Sequence, residues 1–383
     1  MALVLNEEQL MLKESAKDFL QQRAPVSHMR ELRDKDNNDD NKRGYSKELW
    51  TEMAEMGWTA ILVPEKYGGL EYGYSGLGIL LEESGRTLTP SLLLSTCLMG
   101  VTALTRGGNA KQREKYLPEV AAGDHLLALA VNESNRHAPY SVTTTAKPSG
   151  DGFILAGRKT AVVDGHNADT LIVSARTRGT GQDSDGISLF LVPAGRPGVT
   201  IERYSVLDTH CAADISLENV EVGPDSLLGE LHQGTAVLDP VLDAGAIGQS
   251  AELLGLAQEA FERTLEYLKE RKQFGVPIGS FQALQHRAAV MFGDIEQCKS
   301  IVLKGLRALD KGDENIPELA SLVKAKLSET AHNVSAEAIQ MHGGIGMTDD
   351  FDIGFFLKRC QILETFLGDR YFHLDRFAGQ RGY

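Results

Sequence analysis

The residues best equipped for chemistry lie near two helix ends. Gln340-Met341-His342-Gly343-Gly344-Ile345-Gly346 places a side-chain amide beside closely spaced glycines. Glycine takes positive φ and lets the backbone come close to a ligand, so main-chain N–H groups here could meet a diphosphate. The same residues could equally stop a helix in the left-handed region. Arg271, in Glu270-Arg271-Lys272-Gln273-Phe274-Gly275, ends a second helical stretch. A guanidinium there could clamp a pyrophosphate through paired, charge-assisted hydrogen bonds, although taken alone it reads as a solvated base at the negative end of a helix dipole. Phe274 and Gln282, taken alone, are ordinary core or surface residues.

Other catalytic chemistries find no support. Cys97, Cys211, Cys298 and Cys360 are widely separated, so they make neither a paired CxxC metal motif nor a disulfide framework. The ten histidines include no HExxH-like spacing, and His137, His166 and His342 read as turn residues, so no metal is expected. A net charge of −14 disfavours attraction to phosphate backbones and anionic bilayers, which argues against nucleic-acid and membrane partners. Acids at Glu7 and Glu8 stand where a signal peptide would carry bases, and no long apolar run follows. The expected setting is the reducing cytoplasm.

The elements that must position these residues change character along the chain. Asn6 can cap a helix with Gln9 three residues on, and Leu12, Ala16, Phe19 and Leu20 recur at helical spacing. The polar tract Asp34 to Arg43 reads as a solvated loop. Helical patterning returns around Leu49-Trp50 and Met53, passes the turn Val63-Pro64-Glu65-Lys66-Tyr67-Gly68-Gly69, and continues through Leu77–Leu81 and Leu92–Leu104. From Leu126 to about Val222 come short β-rich runs: Phe153–Leu155, Ala161–Val163, Thr170–Val173, Ile187–Val192 and Val199–Ile201. Their spacing suggests a small sandwich or barrel. Beyond Gly234 the helical period resumes, with Leu254, Ala257, Phe261, Leu265 and Leu268 on one face. The expected division is 1–124 helical, 125–230 β, and 231–383 helical.

This order, with the Val63–Gly69 turn, the Glu270–Gly275 helix end, Phe281-Gln282-Ala283-Leu284-Gln285 and Gln340–Gly346 in sequence, resembles the acyl-CoA dehydrogenase family nearly end to end. The resemblance implies an α+β protein with an N-terminal helical domain, a middle β-sandwich or barrel domain and a C-terminal four-helix bundle. It implies a tetrameric flavoenzyme that desaturates an acyl-CoA between its α and β carbons, with FAD as hydride acceptor, a carboxylate as α-proton base and an electron-transfer flavoprotein as acceptor. Each FAD of the family sits at a subunit interface. Arg271, Phe274, Gln282, Gln340, Gly343 and Gly344 match residues that reach a neighbour's FAD: the arginine and glycines at the diphosphate, the phenylalanine and Gln282 near the adenosine.

The other half of the family's site departs from its pattern. Asn132-Glu133-Ser134-Asn135-Arg136-His137-Ala138-Pro139-Tyr140-Ser141 stands in place of a Thr-Glu-Pro-Gly-type stretch, with Glu133 retained. Ala161 and Val163 fall where the family places a tryptophan over the flavin and a threonine near its reactive ring, so a π surface and a hydroxyl donor are both gone. The usual base position holds Leu367, and the alternative position used by a minority of the family holds Gly245, followed by Ala246 in place of an arginine. Asp369 is the best remaining carboxylate, ahead of Glu364 and Asp243. The losses share one half of the site. The favoured reading is a small, β-type subunit that completes the FAD site of a homologous α-type partner. Two rivals are a self-sufficient homo-oligomeric dehydrogenase using Asp369 and a non-enzymatic scaffold or binding protein.

Overall fold

The computed structural model describes residues 4–36, 44–180, 183, 185–208 and 210–383. In chain order the helices are α1 (Glu7–Arg23), α2 (Val26–Asp36), α3 (Lys47–Glu55), α4 (Tyr74–Thr87), α5 (Val101–Gly107), α6 (Ala110–Ala121), α7 (Thr235–Glu270), α8 (Gln282–Lys311), α9 (Ile316–His342), α10 (Ile353–Thr365) and α11 (Arg370–Gln380). The strands are β1 (Leu127–Ala130), β2 (Thr145–Ser149), β3 (Gly152–Val163), β4 (Thr170–Arg176), β5 (Ile187–Pro193), β6 (Val199–Ser205), β7 (Cys211–Val222), β8 (Leu227–Leu228), β9 (Lys272–Gln273) and β10 (Val276–Pro277). They form two compact units. One comprises Met1–Lys35, Tyr74–Pro90 and Ala246–Tyr383; the other comprises Asp36–Gly73 and Ser91–Gly245.

The first unit is helical. Asn6 starts α1 through a capping box: its side chain accepts the Gln9 N–H at 2.8 Å and its own N–H donates to Gln9 Oε1 at 3.1 Å. Ala16 and Leu20 are buried where α1 packs on α4. α9 packs against α8, α10 and α11, and this explains why Leu319, Val323, Leu327, Ala331, Val334 and Ala338 are all buried. The tract expected to be a loop from Asp34 begins as helix, since α2 runs through Asp36. Arg33 answers the acid there, donating to Asp34 at 3.0 Å. The remainder of the tract, 37–43, lies outside the described residues.

The second unit packs helices beside a sheet. Its strands hydrogen-bond in the order β6-β7-β3-β2-β4-β5-β8, with β1 parallel to β4. Leu155, Leu171, Val173, Phe190, Val192, Ile215 and Leu217 meet in its core. β4 is buried on both faces, so it reads as a continuous apolar run and not an alternating one. The separate runs Phe153–Leu155 and Ala161–Val163 are one strand, β3. Irregularities between Leu155 and Gly157 and between Lys159 and Val162 break its alternation in the sequence. Sequence patterning also missed β7, the partner of both β3 and β6, because Asp214, Glu218 and Asn219 interrupt its apolar residues. No helix among the described residues is long and apolar enough to cross a membrane.

Candidate functional site

The first unit brings the six candidate cofactor residues to one end of its helices. α7 stops at Glu270, and Arg271 follows with its N–H bonded to the Tyr267 carbonyl at 2.9 Å. β9 and β10 then form a two-residue hairpin around Phe274 (φ +53°) and Gly275 (φ +85°). Both positions are left-handed, as a type I′ turn requires, yet the first holds a bulky side chain for which that conformation is costly. Phe274 is 91% exposed, with its ring edge-on to Phe281 at 6.1 Å between centroids. Internal packing therefore does not account for a phenylalanine there. Ile278 N–H bonds to the Arg271 carbonyl at 2.8 Å, which ties the hairpin to the start of α8, where Gln282 is the first residue.

The glycine turn lies beside this hairpin. Tyr267, one turn before Arg271, stacks on His342, the last residue of α9 and the neighbour of Gly343. His342 is thus a buried helix residue and not the turn residue its sequence suggested. The glycines have different reasons to be glycine. Gly343 ends α9 at φ +66°, ψ −144°, a conformation open essentially to glycine alone. A Cβ at Gly346 would sit 2.8 Å from the Ile339 carbonyl oxygen. At Gly344 the φ is not left-handed and a Cβ would meet nothing within 4 Å, so nothing within the chain demands glycine there. Arg271, Gln282 and Gln340 are exposed, and their side chains make no hydrogen bond or ion pair among the described residues. A guanidinium, two amides, an aromatic face and unhindered backbone fit the adenosine diphosphate end of FAD by their donor chemistry.

The second unit's candidate residues are already occupied. Glu133 accepts from Lys159 Nζ at 2.7 Å, from the Thr143 N–H at 2.7 Å and from the Thr144 N–H at 3.0 Å. Burial opposes its ionisation, but the Lys159 charge and these donors hold the carboxyl well below its usual range. Lys159 is wholly buried and also donates to Ser174 Oγ at 2.9 Å and to the Val131 carbonyl at 3.2 Å. Glu133 therefore anchors its loop to the sheet. Ala161, at φ +51° in the β3 irregularity, donates its N–H to Asp214 Oδ1 at 3.1 Å. Ala161 and Val163 flank the core-facing Val162 and offer no side-chain donor. These two positions therefore leave a flavin ring neither a side-chain donor nor the Ala161 N–H.

The base positions are equally bare. Leu367 is buried at φ +60°, and its carbonyl lies 2.9 Å from His373 Nε2. Gly245 lies within α7. The Asp369 carboxylate caps α11, with Oδ1 accepting the Phe372 N–H at 2.8 Å. The neighbouring Arg370 pairs with Glu329 at 2.9 Å and leaves Asp369 to its cap. Glu364 Oε2 is 3.1 Å from His332 Nδ1, and Asp243 is buried. Just before the Leu367 turn, the wholly buried Lys324 donates to the Leu363 and Glu364 carbonyls at 2.6 and 3.3 Å, capping α10. Burial pushes its ammonium down to about 7. Sequence reading singled out none of Lys159, Asp214, Tyr267 and Lys324, since each acts through a partner distant in the chain. A lysine inside an apolar strand was the one signal that could have raised Lys159. Among the described residues no cluster of three or more His, Cys, Asp or Glu side chains could hold a metal, and all four cysteines are free and buried.

Three family models match the chain: "Acyl-CoA dehydrogenase, N-terminal domain" over residues 6–124, "middle domain" over 128–220 and "C-terminal domain" over 232–380. The 3-(aryl)acrylate reductase of Clostridium sporogenes is 30% identical over 380 residues, 96% of each chain. Mitochondrial isovaleryl-CoA dehydrogenase of Pongo abelii is 31% identical, across 95% of this chain and 86% of its own. Among solved structures, the Tcur3481-Tcur3483 steroid ACAD superposes with a TM-score of 0.87 at 31% identity, covering 98% of both chains.

Proposed function

Because the chain belongs to the acyl-CoA dehydrogenase family, a family of FAD-binding flavoproteins that oxidise or reduce acyl-CoA thioesters, we propose that it is the β-type subunit of a heteromeric member. One contrast carries this reading. The residues suited to the adenosine diphosphate end of FAD are exposed and unused, whereas Glu133 and the Ala161 amide, on the side of the reactive ring, are consumed internally. The Tcur3481-Tcur3483 steroid ACAD, whose name pairs two designations, supports an assembly of two different subunits. The caffeyl-CoA reductase-Etf complex subunit CarC of Acetobacterium woodii supports an electron-transfer flavoprotein as redox partner. The family segments are proposed to divide at 124/125 and 230/231.

In this assembly FAD, when bound, would supply the hydride acceptor for the acyl-CoA. Arg271 would hold the diphosphate by charge, Gly344 would let the backbone N–H groups approach it, and Phe274 and Gln282 would meet the adenosine. Leu367 and Gly245 cannot take a proton, so the base belongs to the α-type partner. Purified alone, this chain is expected to be colourless and inactive; purified with its partner, the complex is expected to carry one FAD per pair of chains and to turn over an acyl-CoA. Full FAD occupancy and turnover by the lone chain would refute the reading.

A further inference from the structure

The glycine turn is gripped on both sides by residues outside the six cofactor candidates. On its N-terminal side, His342 stacks on Tyr267 with ring centroids 4.3 Å apart and planes at 27°. Phe351 closes on the pair, at 5.0 Å from His342 and 6.2 Å from Tyr267. Tyr267 Oη donates to the His342 carbonyl at 3.3 Å, and His342 Nδ1 lies 2.7 Å from the Ala338 carbonyl. On its C-terminal side, Arg33 donates to both oxygens of Asp349 at 2.8 and 2.9 Å, while Arg30 and Arg263 donate to Asp352 at 2.9 and 3.1 Å. The Arg30 guanidinium also lies over the Phe355 ring, 4.3 Å from its centroid.

A glycine-rich turn loses more conformational entropy on ordering than any other backbone. Ordering it during folding removes that cost from ligand binding. Tyr267 is placed to do more than stiffen the turn. Its carbonyl accepts the Arg271 N–H while its ring and hydroxyl hold His342, so one residue sets the spacing between the arginine arm and the glycine turn. We infer that Tyr267 is the positioning residue of this half-site, with the Arg30–Arg33–Arg263 clamp fixing the turn's far end. The inference rests on the reading that both arms grip a partner's FAD.

The test uses the co-expressed complex. FAD affinity is measured by fluorescence of released FAD, assembly by light scattering and folding by thermal melting. Tyr267→Leu is expected to weaken FAD binding about tenfold in an assembled complex, and Tyr267→Phe, which keeps the stack, to stay within about twofold of wild type. Asp352→Asn, which loosens the clamp and leaves the core intact, is expected to weaken FAD binding in the same direction and decides the matter if Tyr267→Leu does not assemble. Wild-type FAD affinity in an assembled Tyr267→Leu complex, or in Asp352→Asn where Tyr267→Leu does not assemble, would overturn the inference. Arg271→Gln probes the underlying reading separately: undiminished FAD binding in that complex would overturn the reading itself.

Discussion

Asp369 shows how one carboxylate can be legible as a residue and illegible as a role. Its place two residues past an empty base position suggested catalysis, but the N–H of Phe372 occupies it as a helix cap. Two substitutions separate the roles. Asn is also a good cap, so Asp369→Asn is expected to melt as wild type and to leave turnover of the complex intact. Asp369→Ala is expected to lose about 1 kcal/mol of stability, measured by denaturant titration. Loss of turnover in Asp369→Asn with FAD still bound would restore the self-sufficient reading. Glu133 makes the converse point: it was retained from the family's pattern, but the pattern does not say that its charge answers Lys159, 26 residues away.

At the scale of elements, the end of α10 carries a buried ammonium. Lys324 caps the Leu363 and Glu364 carbonyls, and its ordinary pKa of 10.5 falls to about 7 because burial penalises the charge. Between these values the unfolded chain binds the proton and the folded chain does not, so the contribution of Lys324 to stability rises with pH from about 7 towards 10.5. Lys324→Met is expected to reduce the pH slope of stability between pH 7 and 8.5 relative to wild type, a comparison read from guanidinium melts at pH 7, 7.75 and 8.5; an unchanged slope would mean that Lys324 does not set it. Elements were unevenly readable. Asn6 and Gln9 announced the start of α1, because a capping box is local. β3 was split in two, because its irregularities at Gly157 and Ala161 break the period of two from which strands are read.

At the scale of the whole molecule, the helical unit leaves apolar side chains uncovered. No residue from Gln282 to Val290 at the start of α8 is buried; Val290 is 66% exposed, and Phe292, two residues on, is 54% exposed. A solvated helix seldom presents such residues together, whereas a subunit interface does. Val290→Asp is expected to weaken association with the proposed α-type partner about tenfold or more, because assembly would bury an unpaired carboxylate. Its circular dichroism alone should match wild type. Equal complex yield on size exclusion would remove this face from the interface.

The sequence by itself determined the order helix, sheet, helix and the identity of the atoms available at each position. Leucine at 367 and glycine at 245 cannot accept a proton in any fold, and alanine at 161 and valine at 163 cannot donate one from a side chain. These conclusions rest on covalent chemistry, which packing does not alter. Only the tertiary structure decided which of the remaining groups are free. Glu133 and the Ala161 amide are spent on Lys159 and Asp214, while a side chain at 344 would meet nothing within 4 Å and the Arg271 guanidinium makes no hydrogen bond or ion pair among the described residues. The contact between Tyr267 and His342 joins residues 75 apart in the chain. Such pairings depend on how helices and strands meet, and local periodicity carries no record of that.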